Sequence, residues 1–243
     1  PRHSTMRLLS LSTVLLCVLS SLSPGAQAQI SGPGDLMFVG YNADGSDGLA
    51  FVLLQDTPNG TTIQFTDTEW SGTDFVSGEG DVAWTNATGS AIAAGTVIVL
   101  QNLSSGTLSA NVGTPVSGST RPNFGATNEV VYAYLGGERS PTAFLSAIAN
   151  DDFGANGDLT GTGLTVGTSA IEFTGDEDVL VYSGSIACAS ASACASQIAD
   201  TANWSSDDGS GDQDQDGVSP DFPDDVPAAF TISAGQVVTL TLS

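Results

Sequence analysis

Short apolar runs rich in Val, Ile, Phe and Thr, each closed within a few residues by Gly, Asn or Asp, recur along the chain from Leu36 onward. That pattern is too short-ranged for helices and fits an all-β fold. The runs that read as strands begin at Leu36, Leu49, Thr61, Asp81, Thr96, Glu129, Ala170, Asp178, Ala228 and Gln236. The last alternates cleanly, with Val238, Leu240 and Leu242 on one face and Val237, Thr239 and Thr241 on the other, as in a sheet with one covered face. Asp44-Gly45, Asp47-Gly48 and Asn59-Gly60 supply turn residues that accept positive φ. One segment reads as a helix: "SPTAFLSAIAND" from Ser140 has a serine N-cap, a proline at the first helical position, and Phe144, Leu145 and Ile148 at helical spacing. Antiparallel strands with one short helix predict a β-sandwich, two sheets packed face to face.

The amino terminus sets the expected compartment. Met6-Arg7 precedes an apolar run from Leu8 to Leu22, and an A-x-A pattern follows at Ala26 and Ala28. This is the layout of a secretory signal peptide with cleavage after Ala28; a membrane span needs about 20 apolar residues. The expected domain is therefore a single β-sandwich over 29–243, secreted, extracellular or at the cell surface. The sole histidine, His3, lies upstream of Met6.

Charge narrows the partners. Twenty-seven acids face four arginines and no lysine, and losing Arg2 and Arg7 with the leader leaves only Arg121 and Arg139, so the net charge moves from -23 to 2 minus 27, or -25. Such a surface repels nucleic-acid phosphates and anionic lipid, so neither nucleic acid nor membrane insertion is expected. Cations are the natural counter-charge, although plain solubility explains acidity equally well. Cys188 and Cys194, the cysteines that remain after the leader, are expected to form one small disulfide loop, since a metal site would call for more thiolate or imidazole ligands than the chain has.

The stretch "GDLMFVGYNADGSDGLAFVLLQDTPNGTTIQFTDTEW", with "GEGDVAWT", "AAGTVIVL", "SPTAFLSAIAND", "GDEDVLVY" and "ANWSSDDGSGDQDQDGVSPDFP", resembles a domain of secreted bacterial proteins that has no established chemistry. It is also distantly similar to lamin-tail domains, which implies an immunoglobulin-like sandwich. The first likeness implies a module found beside adhesion-like modules, secretion-sorting tails or hydrolytic domains, and a fold analogy supplies no function by itself.

The most suggestive local pattern is "GDQDQDGVSPDFPDD" from Gly211. Asp212, Asp214 and Asp216 alternate, Gly217 permits a bend, Val218 offers its carbonyl, and Asp221, Asp224 and Asp225 follow. Calcium prefers oxygen ligands of this kind. An EF-hand would place its bidentate acid where Pro223 stands, so that motif fails, and a looser aspartate loop remains, with Asp207 or Asp208 as extra donors. The expected ligands are Asp212, Asp214, Asp216, Val218, Asp221 and Asp224, against the alternative of a solvated acidic loop. Asp176, Glu177 and Asp178, and Asp44 with Asp47, read either as minor cation sites or as ordinary turn chemistry.

Catalytic equipment is thin. With no histidine or lysine after the leader, histidine-dependent triads and zinc-histidine centres are excluded, which leaves carboxylate pairs. Asp67 and Glu69 in "TDTEW" would share a strand face beside Trp70, an arrangement a glycosidase can use. Trp70, Trp84 and Trp204 with Tyr41, Tyr132 and Tyr182 form either a sugar-binding face or core. Sequons occur at Asn59, Asn86, Asn102 and Asn203. The sequence thus favours a non-catalytic extracellular module for adhesion, matrix or surface assembly, stabilised by calcium, with protein or glycan partners or further copies of itself. The alternatives are a carbohydrate-binding or carboxylate-type glycoside-hydrolysing module, and a self-assembling filament or surface-layer subunit built on strand 236–242.

Overall fold

A computed structural model describes residues 28–76 and 78–233. The strands, in chain order, are β1 (Leu36–Asn42), β2 (Gly48–Leu53), β3 (Thr62–Thr66), β4 (Asp81–Thr85), β5 (Val97–Gln101), β6 (Ser109–Ala110) and β7 (Thr114–Ser117). There follow β8 (Glu129–Gly137), β9 (Ser140–Asn150), β10 (Ala170–Glu172), β11 (Val179–Tyr182), β12 (Ala187–Cys188), β13 (Trp204–Asp207) and β14 (Thr231–Ile232). Two six-stranded sheets run in the orders β13-β11-β1-β2-β5-β6 and β10-β9-β8-β3-β4-β7, with β12 and β14 forming a small third sheet. Pairing is antiparallel except at β9 with β10 and β12 with β14. The fold is a β-sandwich.

The alternation of side chains explains the packing. Phe38 and Phe51 of the first sheet meet Phe65 and Trp84 of the second, with ring centroids at 6.1 Å for Phe38–Phe65, 4.9 Å for Phe51–Phe65 and 5.6 Å for Phe51–Trp84. These rings and the flanking Leu36, Leu49, Ile63 and Val82 are buried and form the inter-sheet core. Each such side chain contributes about 1.5–3 kcal/mol of burial. The outer face of the second sheet is covered as well: Trp70 and Phe75, from the β3–β4 connection, pack on Tyr132, Tyr134 and Phe144.

The predicted helix from Ser140 is instead β9, paired with β8 from Ser140 to Asn150. A β-bulge at Leu145, where Ala133 faces Ser146 but Tyr134 faces Phe144, turns two successive side chains inward. Leu145 packs in the inter-sheet core, and the Ser146 hydroxyl lies 3.6 Å from the Met37 sulfur. The bulge shifts the phase of the alternation, and burial of both faces removes the polar stripe, so the apolar spacing mimics a helix. The helices observed are α1 (Phe153–Asn156) and α2 (Ala191–Ile198), the latter capped by Ser190, whose hydroxyl accepts from the Ala193 N–H. The Cys188–Cys194 disulfide forms as expected and ties β12 to α2. From Ala228 only β14 is strand, and the leader through Gln27 and the strand expected at 236–242 lie outside the described residues. No described helix is long and apolar enough to cross a membrane.

Candidate functional site

The aspartate-rich segment divides into two halves. Its first half folds back on the β1–β2 turn and the start of β11. The Gln213 N–H donates to Asp44 at 2.7 Å, the Asn42 amide donates to Asp214 at 3.0 Å, and the Gly209 N–H donates to Asp178 at 3.0 Å. Phe222 anchors the segment: its ring is buried over β1 and β2, and a Cβ at Gly48 would lie 2.2 Å from it, so that position requires glycine. Between loop and turn is a pocket of about 240 Å³, lined in part by Gly45, Gln101, Asn102, Asp212, Asp214 and Gln215.

The carboxyl groups here oppose one another. Burial, then a hydrogen bond with Asp212, pushes Asp214 up to about 7 against the Asn42 amide, which pulls it down. Asp44 is also raised, first by burial and then by Asp178, Asp212 and Asp207, with the Gln213 N–H opposing. One Asp207 oxygen is buried without a hydrogen-bond partner. Among the described residues, however, no three carboxyl, thiol or imidazole side chains converge closely enough to hold one metal ion.

The second half closes on itself. Asp216 accepts from the Val218 N–H at 2.7 Å, Asp221 from the Gly217 N–H at 3.2 Å, and Asp225 from the Ser219 hydroxyl at 2.6 Å. Asp224 and Val218 are exposed. The expected ligand set is thus split: Asp212 and Asp214 join Asp44, while Asp216, Val218, Asp221 and Asp224 do not. Asn42 and the convergence of Asp44 and Asp178 on this loop were invisible to the sequence, because Asn42 and Asp214 are 172 positions apart.

Asp67 and Glu69 lie beyond the end of β3, in the connection to β4, and not on a strand face. Asp67 is 3% exposed and accepts from the N–H groups of Gly80 and Asn123. The partner of Glu69 is Glu79, whose carboxyl is pushed up to about 7 by burial, by Glu69 and Asp67, and by a hydrogen bond with Glu69, with Arg139 opposing. Trp70 is buried, its indole N–H donating to the Thr160 carbonyl at 2.9 Å, and Trp84 is buried with its N–H on the Val112 carbonyl at 2.7 Å. Tyr41, Tyr132 and Tyr182 are buried too, and Trp204 alone of the six is half-exposed, so they share no open aromatic face. Of the sequons, Asn59 is exposed, and Asn86 is buried with its amide donating to the Thr57 and Ser90 carbonyls.

Both described arginines are consumed internally. The Arg121 guanidinium donates to four carbonyls of one loop, those of Asn102, Leu103, Ser105 and Gly106. Arg139 binds the Asp81 carboxylate and the Glu79 carbonyl. The chain matches no protein-family model, no curated protein and no solved structure.

Proposed function

We propose that this chain is a secreted, non-catalytic β-sandwich module for adhesion, matrix or surface assembly, whose acidic loop is rigidified by calcium. The observation that carries this reading is the gathering of Asp44, Asp178, Asp207, Asp212 and Asp214 from separate chain segments within electrostatic reach of one another, Asp212 and Asp214 also lining the pocket, while both described arginines are spent elsewhere. Close carboxylates repel by about 1–4 kcal/mol per pair at 4 Å in water-like to surface-like surroundings, which a divalent ion would relieve. Calcium would draw Asp212 and Asp214 toward Asp44, with backbone carbonyls and water completing its shell. Its partners would be extracellular proteins or glycans, or further copies of the chain. Limited proteolysis of 207–225 in calcium and in chelator tests the reading: calcium should protect the loop, and equal cleavage in both would remove the metal from the account.

A second reading, a carboxylate-type hydrolase, is supported by Glu79, whose carboxyl burial and the neighbouring Glu69 push up to about 7, into the range of a general acid. A glycoside and ester hydrolysis screen with Glu79→Gln separates the two, since activity lost in that variant would favour the second.

A further inference from the structure

A second pocket, of about 360 Å³, shares no lining residue with the acidic one and contains none of the six aromatic residues weighed above. That volume lies within the usual range of small-molecule sites, about 300–1,000 Å³. Its walls are the turn before β1, the loop before β10 and one face of α2, with Gln55 from the end of β2 beside them. They converge on Gly34, where a Cβ would stand 3.8 Å from that of Ala195 and 3.9 Å from that of Ser169.

Each wall is fixed from outside the pocket. In the turn, Asp35 Oδ2 accepts from the N–H groups of Ser31 at 2.8 Å and Gly32 at 2.9 Å, and the Gly34 N–H donates to the Leu145 carbonyl at 2.7 Å. In the loop, the Thr165 carbonyl accepts from the Ser169 N–H at 2.9 Å and the Ala170 N–H at 3.1 Å, while the Ser169 hydroxyl accepts from the Thr165 N–H at 2.9 Å. Helix α2 buries Cys194 and Ile198 in the core and is tied by the disulfide, which leaves Ala191, Ser192, Ala195 and Ser196 to line the pocket. The cavity is therefore preformed.

Its polar groups are largely unspent. Every hydrogen bond to the Asp35 carboxylate falls on Oδ2, which leaves Oδ1 open. The Gln55 amide and the Thr165 and Ser196 hydroxyls have no hydrogen-bond partner among the described residues. Hydroxyls and amides both donate and accept, so they match a ligand whose own groups do both. Pro33, Ala191 and Ala195 add small apolar patches, and no lining side chain is aromatic, so a flat apolar ring has nothing to stack on. Asp35 is the only charged lining residue, in a chain of net charge -23, which turns away anions. A basic group would pair with Asp35 and leave the neutral groups idle.

We propose that this pocket binds one neutral sugar unit of a glycan, with Asp35 accepting from a sugar hydroxyl and Gln55, Thr165 and Ser196 bonding its neighbours. The site rests on the reading of the chain as a module that holds partners, and it names the chemistry of one.

NMR titration of the isotopically labelled full chain with glucose, galactose, mannose, fucose and N-acetylglucosamine, each in millimolar excess, tests this. At least one should give saturable shifts centred on the amides of Gly34, Thr165, Ser169 and Ser196, and galacturonate should bind at least tenfold more weakly than that sugar. Ser196 is exposed, so Ser196→Phe fills the pocket without disturbing the core and should abolish the shifts. Asp35→Asn keeps one oxygen for Ser31 and Gly32 and should weaken binding at least tenfold; should it not fold, Gln55→Ala takes its place with the same expectation. Absence of saturable shifts with all five sugars, shifts centred elsewhere, binding that survives Ser196→Phe, or tighter binding of arginine amide than of any sugar would each overturn the proposal. Calcium protection of 207–225 is read separately, so a chain that calcium protects but no sugar binds loses this site and keeps the module.

Discussion

Arg139 lies 2.8 Å from Asp81, the only salt bridge among the described residues, and it joins a side chain 27% exposed to one 1% exposed. The second Asp81 oxygen is buried without a hydrogen-bond partner. The guanidinium is therefore the main compensation for a buried charge, and removing one member of such a pair costs more than removing both. Arg139→Ala should destabilise the fold by roughly 2–3 kcal/mol, below the usual range for a fully buried pair because Arg139 is in part solvated. Arg139→Met combined with Asp81→Asn should cost less than Arg139→Ala alone. Chemical denaturation of the three variants checks the order.

Arg121 does different work, because its partners are carbonyls and not acids. Losing it leaves the carbonyls of Asn102, Leu103, Ser105 and Gly106 to find water, at about 1 kcal/mol or less for each partly exposed bond. Arg121→Lys cannot reproduce the planar fork and should recover less than half of the stability lost in Arg121→Ala. Thermal melts of both variants give the comparison.

The pH dependence of stability has a definite sign. Glu129 is raised to about 8, Glu79 and Asp214 to about 7 and Asp47 to about 6, with burial the leading cause in each. Unfolded carboxyls titrate near 4, so between that pH and each folded value the native chain holds protons that the unfolded chain has released. Their stabilising effect is complete below about pH 4 and is lost progressively from there up to the folded values of about 6 to 8. The midpoint of thermal unfolding should fall by roughly 5 °C or more from pH 5 to pH 8.5, given that 1 kcal/mol moves a domain of this size by about 2–4 °C. A profile that is flat or rises over that interval would contradict the burial of these groups.

Much of the architecture is readable in the sequence because β patterning is local. The runs at Leu36, Leu49, Asp81 and Glu129 have the expected type and nearly the expected bounds. The segment from Ser140 misleads because the Leu145 bulge breaks the two-residue period, and nothing in one strand's sequence announces a bulge set by its partner. The site was legible in pieces. Asp44, Asp178 and the 212–216 aspartates each stand out, but their meeting depends on chain segments far apart, and so does the exchange of Glu69's expected partner, Asp67, for Glu79.

Trp70 and Asp67 are structural in this fold. Trp70→Ala should cost about 3–5 kcal/mol through the cavity it leaves among Phe75, Phe144 and Tyr132. Trp70→Phe and Asp67→Asn should leave binding on a glycan array unchanged, because neither side chain is open to a ligand. Selective loss of glycan signal in either folded variant would restore the carbohydrate reading.

Calorimetry of the full chain in calcium and in chelator, at pH 7.5, is the most direct test of a module whose acidic loop is rigidified by calcium. Calcium at millimolar concentration should raise the unfolding midpoint by several degrees, as expected for a ligand well above its dissociation constant, and Asp212→Asn with Asp214→Asn should abolish the rise. An identical midpoint with and without calcium, or a rise that survives in the double variant, would contradict it.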